Sequence, residues 1–169
     1  MHELPALLDS AMAHFDVIVA NTGANWGEQH AVLLERSSRA LFLVDQRASS
    51  LRACKHAVEL CARCGIAASP FLFVANRCSK RSLFSSIDVS CAMQGAHAAE
   101  LKDGGVEVEQ ALGTGLAYDL ASSRNAFALS VRELMGEVAG EAAGSLASSE
   151  ESEAPSRGLF SFRRARREG

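Results

Sequence analysis

Three nearly uninterrupted apolar runs restrict this chain more than any other feature: FDVIVA at 15–20, ALFLVD at 40–45 and PFLFVA at 70–75. Consecutive apolar residues in an extended chain point to both faces of a sheet, so each run reads as a strand covered on both sides. The segments between them carry helical spacing. In 28–36, His30, Leu33 and Leu34 share a face. In the next, Ser49 or Ser50 is expected to cap a helix closing at Gly65, with Leu51, Cys54, Val58 and Cys61 on one side. Strands alternating with helices imply βαβ units with right-handed crossovers. The expected fold class is therefore α/β, a mostly parallel β-sheet flanked by helices on both faces.

The remaining elements are weaker. Residues 4–14 predict a short helix with Pro5 in its first turn, and Ser85–Met93 another. A weak strand is expected near 98–101, a turn at Gly104-Gly105, and helical or irregular chain over 106–112, broken by Gly113 and Gly115. Phe127, Val131, Leu134 and Val138 place a closing helix over 125–140. Beyond Gly140 the composition becomes small and acidic, so 1–140 is expected as the domain, 141–156 as a flexible linker and 157–169 as a basic-aromatic tail.

Composition narrows the function classes. The net charge of −3 over 169 residues gives no global attraction for nucleic acid, which is not expected as a partner. The opening residues carry Glu3 and Asp9 without a basic n-region, and no apolar stretch reaches the ~20 residues of a membrane span. A cytoplasmic protein is expected. Its five cysteines, an odd number, then read as thiols.

The stretch FDVIVANTGANWGEQHAVLLERSSRALFLVDQRASSLRACKHAVELC, with FLFVANR after it and ALGTGLAYDLASSRNAF near the end, resembles the MinD/ParA group of ATPases. The nearest likeness is to the CpaE/TadZ branch, which helps position pilus-assembly machinery. The resemblance covers roughly residues 5–140 and implies the C-terminal half of a truncated Rossmann-like P-loop NTPase fold. Two departures stand against catalysis. No segment offers a glycine-rich phosphate loop with its lysine. Asn21 also stands where the family has its metal-organising Asp, and a neutral amide brings no charge to hold Mg²⁺. The resemblance puts the missing loop on a strand between the FDVIVA-like and ALFLVD-like strands. Those neighbours then pair directly, or another polypeptide supplies the strand, or the reading frame is truncated.

What the resemblance implies is a degenerate module acting through protein–protein contacts in polar localisation or Flp/Tad-type pilus assembly, not expected to be an enzyme. Its expected partner is a secretion or pilus ATPase or a full-length homologue. No cofactor is expected; ATP with Mg²⁺ enters only with a partner-supplied phosphate loop, the alternative being a nucleotide-binding subunit so completed. A third class, a receiver-like regulatory domain, is weakened because Asp45 stands alone at its strand end.

By the same resemblance Asn21, Thr22 and Gly23 form a vestigial phosphate-facing turn, and Asn76, with Arg77, reads a base. Their plainer roles are a strand-to-helix loop and a strand-end turn. Cys61 and Cys64 form a CxxC, with Cys54, His56, Cys78 and Cys91 as conceivable zinc ligands; core packing is the stronger reading, because Cys54 and Cys61 lie on an apolar helix face. Trp26 is expected to pack partly against the domain or to cover a neighbouring pocket or interface. In the tail, Leu159, Phe160 and Phe162 adjoin Arg163, Arg164, Arg166 and Arg167. That pairing suits weak contact with an anionic membrane surface, peripheral at the inner membrane, or with a partner; a solvated end is the plainer reading.

Overall fold

The computed structural model describes residues 3–23 and 26–153. Three parallel strands form its sheet: β1 (Ala40–Val44), β2 (Phe71–Cys78) and β3 (Ala98–Lys102), in the order β1-β2-β3. The helices are α1 (Glu3–Met12), α2 (Glu28–Arg36), α3 (Ala48–Arg63), α4 (Ser86–Ala92), α5 (Gly105–Gly113), α6 (Ala117–Ser122) and α7 (Ala126–Glu153). The chain is an α/β protein whose helices lie on both faces of a parallel sheet.

Central position makes β2 apolar at every step: Phe71 through Ala75 are all buried. Phe71, Phe73 and Ala75 face a core shared with Val44, Cys54, Cys61, Val89 and Met93 from β1, α3 and α4. Leu72 and Val74 face the opposite side, where Leu101 and Leu134 join them under α7. Register runs Ala40↔Phe71 to Val44↔Ala75 on one side and Phe73↔Ala98 to Ala75↔Glu100 on the other.

Local chemistry explains the helix ends. Ser85 caps α4, its hydroxyl accepting from the Asp88 N–H while the Asp88 carboxylate accepts from the Ser85 N–H. Gly65, at φ +74°, reverses the chain after α3 as expected. The cap of α3 is Arg47, not Ser49 or Ser50; the Ser50 hydroxyl instead accepts from the Asp45 N–H at 3.0 Å.

Two further expectations are corrected. Residues 15–20 belong to no strand, with a bend at Asp16, and Phe15, Val17, Ile18 and Val19 are exposed. Among the described residues no strand is hydrogen-bonded to the backbone of 16–20, so the pairing that makes an apolar run a buried strand is lacking. The closing helix also does not stop at Gly140 but continues to Glu153, through the first thirteen of the residues expected as linker. That stretch is rich in Ala and Glu, strong helix formers, and neither Gly136 nor Gly140 takes the left-handed conformation that ends a helix. Short α6 was not foreseen. The rest of the linker and the tail residues Leu159, Phe160, Phe162, Arg163, Arg164, Arg166 and Arg167 lie outside the described residues.

Candidate functional site

The carboxyl ends of parallel strands are where α/β proteins bind ligands, and the loops there hold most of the candidate residues. Asn76 and Arg77 sit at the end of β2, where the ladder to β3 becomes irregular between Ala75 and Cys78. Arg77 takes φ +54°, a left-handed conformation unusual for a residue with a side chain. The Asn76 side-chain oxygen accepts from the Arg77 N–H at 3.0 Å, and the Arg77 guanidinium lies 3.8 Å from Glu109 of α5. The amide oxygen of Asn76 thus supports the turn locally.

The residue that organises this end is one sequence reading missed. Gln46, just after β1, donates to the Asn76 carbonyl at 2.8 Å and to the Phe84 carbonyl at 3.1 Å, and accepts from the Phe84 N–H at 2.9 Å. One amide satisfies three backbone groups across two loops, using donor and acceptor together. Its position directly after a strand was the available signal.

Asn21, Thr22 and Gly23 are exposed and are not brought against Asn76 by any hydrogen bond. Gly23 offers its carbonyl to His30 Nε2 at 3.1 Å, and His30 Nδ1 accepts from the Gly27 N–H at 3.3 Å, so His30 fastens this loop to the start of α2. Trp26 stacks on His30 and on Phe42 of β1, with centroids 5.3 and 6.1 Å apart. It covers the outer part of the Phe42–Phe71–Phe73 cluster while remaining 40% exposed.

Cys54, Cys61 and Cys78 are buried, Cys64 and Cys91 exposed. Burial pushes the Cys54 thiol up to about 11 and raises those of Cys61 and Cys78, which disfavours the thiolate a metal or a redox partner needs. Among the described residues no group of three or more His, Cys, Asp or Glu is placed to hold a metal.

A shallow groove of about 550 Å³ runs between α7 and β3, lined by Ser86, Glu100, Lys102, Ser130 and Glu133 among others. Its polar groups satisfy one another. The Glu100 carboxylate accepts from Lys102 Nζ at 2.6 Å and from the Ser86 N–H at 3.0 Å, which holds its carboxyl below the usual range and raises the lysine. The buried Ser130 hydroxyl accepts from the Lys102 N–H at 3.0 Å and donates to the Phe127 carbonyl at 2.8 Å. These bonds fasten β3, one edge of the sheet, to α7.

The other edge is open. β1 pairs only with β2, and α7 covers β2 and β3 but leaves Leu41 at 39% and Leu43 at 57% exposed on the same face. Beside this edge in sequence stands the run 15–20, with Val17 at 76% and Val19 at 81% exposed. Among the described residues, none of the backbone groups of 16–22 is hydrogen-bonded to other backbone. Among the described residues, then, an unpaired strand edge and an apolar run without backbone partners lie near each other in sequence.

Comparison with protein-family models, with curated proteins and with solved structures finds no match to this chain. Among the described residues no helix is long and apolar enough to cross a membrane.

Proposed function

We propose that the chain is a degenerate, non-catalytic MinD/ParA-like module of the CpaE/TadZ kind, acting through protein–protein contacts in polar localisation or Flp/Tad-type pilus assembly. The observation that carries the docking role is the open β1 edge, with Leu41 and Leu43 uncovered and the 15–20 run unpaired. Main-chain groups on such an edge give affinity to any added strand, and the flanking side chains give selectivity. At the strand ends, Gln46 and the Asn76 side-chain oxygen serve the loops themselves, which suits a scaffold. The basic-aromatic tail, in this reading, adds a weak hold on an anionic membrane; liposome co-sedimentation that is unchanged on removing 157–169 would exclude that contribution.

The same open edge favours a second reading, in which a partner's strand brings a phosphate loop and the pair binds ATP with Mg²⁺. Thermal melting of the isolated protein tests whether the chain binds nucleotide by itself. The isolated protein should melt at the same temperature with and without millimolar ATP–Mg²⁺. Binding at one hundredth of that concentration would add about 2.7 kcal/mol, a shift of several degrees, and would overturn the non-binding reading.

A further inference from the structure

The β1 edge of the sheet is bare, and among the described residues the backbone of 16–20 makes no hydrogen bond to it. Arg36, closing α2, contacts Asp9 and, at 3.4 Å, the Pro5 carbonyl of α1. At the other end of α2, His30 holds Gly23. Thus α1, before the run, meets the end of α2, and Gly23, after the run, meets its start, so the chain between them passes back along α2. Because β1 follows α2 back in the opposite direction, the run and β1 point the same way.

We infer that this protein self-associates through these two features, the 15–20 run of one copy adding as a parallel strand to the β1 edge of a second copy and the reverse. The inference rests on the docking reading above and names the partner. Exchange of the run in both directions between two copies uses the same surfaces on each, which is the condition for a closed, isologous pair. Since the run and β1 point the same way within a chain, parallel pairing in trans requires the two β1 strands to point the same way as well. A two-fold axis permits that only when it lies along the strands.

Surface and charge agree with this occupant. Phe15, Val17, Ile18, Val19, Leu41 and Leu43 are each more than a third exposed. These side chains are the apolar surface a second copy would cover, and a stable specific pair needs about 1,200 Å² buried in all. Within 15–20 the sole charge is Asp16, and 40–44 carries none, so pairing opposes no like charges. Aligning 16–20 with 40–44 sets Val19 opposite Leu43. Both side chains are exposed, at 81% and 57%, so replacing them leaves the core intact.

The test uses the full chain in a C64S/C91S background, which removes the exposed thiols. One protein carries Val19→Cys and a second Leu43→Cys. Mixed and oxidised, they should form a covalent heterodimer in large excess over either homodimer. Sedimentation from low-micromolar to near-millimolar protein should show a monomer–dimer equilibrium. Val19→Asp with Leu43→Asp should weaken that equilibrium at least ~tenfold, as expected for two central interface positions. A chain that stays monomeric throughout, or a 19–43 double variant that closes within one chain at high dilution, would overturn the inference. So would dimerisation untouched by the two aspartates. A chain that stays monomeric sinks the self-association alone, whereas closure of the 19–43 double variant within one chain shows that the edge is not open and sinks the docking reading with it.

Discussion

At Gly104 the fold admits a hydrogen and little else. A β-carbon there would stand 2.1 Å from Val108 Cγ2, 2.8 Å from Asn125 Oδ1 and 2.9 Å from Phe127 Cβ, because this turn brings the starts of α5 and α7 together. Gly104→Ala should therefore destabilise the protein by about 1–3 kcal/mol in urea unfolding. Gly136, inside α7 with nothing within 4 Å of such an atom, offers the contrast. Gly136→Ala should stabilise by about 0.5–1 kcal/mol through helix propensity. Thiol chemistry gives a second prediction at this scale. With burial raising Cys54, Cys61 and Cys78, a thiol reagent at mildly alkaline pH should label Cys64 and Cys91 first in the native protein. The three buried cysteines should react only on unfolding, as peptide mapping would show. The helix-face spacing of Cys54 and Cys61 already favoured core packing, and both are buried. For Gln46 the sequence offered only its place after a strand, since its partners, the carbonyl of Asn76 and both backbone groups of Phe84, lie far along the chain.

Elements were legible in proportion to how completely their surroundings are built. β2 is flanked by a strand on each side and helices on both faces, and its apolar run announced it. β3 lies at an edge with Glu100 and Lys102 turned to polar partners, so its signal was faint. The 15–20 run has the strongest strand composition of all and is not a strand, because composition states what a segment would do with neighbours and cannot supply them. The ends of α4 show local chemistry succeeding where long-range context is not needed. Ser85→Ala should cost about 1 kcal/mol by removing the cap of α4. The Ser85 hydroxyl and N–H hold the Asp88 carboxyl below its ordinary range. A depressed folded-state pKa stabilises above the unfolded value and is lost as pH falls through the folded one. Ser85→Ala should therefore flatten the acid side of the stability–pH curve, measured by chemical denaturation across the carboxylate range. On the other face, Leu134→Ala should cost about 2–5 kcal/mol, since this buried side chain joins α7 to Leu72, Val74 and Leu101.

Over the whole molecule the two sheet edges differ in kind. β3 is fastened to α7 at one point, the Ser130 bond to the Lys102 N–H, whereas β1 ends the sheet with no such bond and with its Leu41–Leu43 face uncovered. The two edges of the sheet are thus unequally covered. Amide hydrogen exchange on dilute, low-micromolar protein tests this asymmetry directly. The account predicts slow exchange through Phe71–Ala75 and near-unprotected exchange over 16–20, with the outward-facing amides of β1 also fast. Protection of 16–20 equal to that of β2, persisting at the lowest concentration, would mean that the run is already a strand within its own chain and would contradict it.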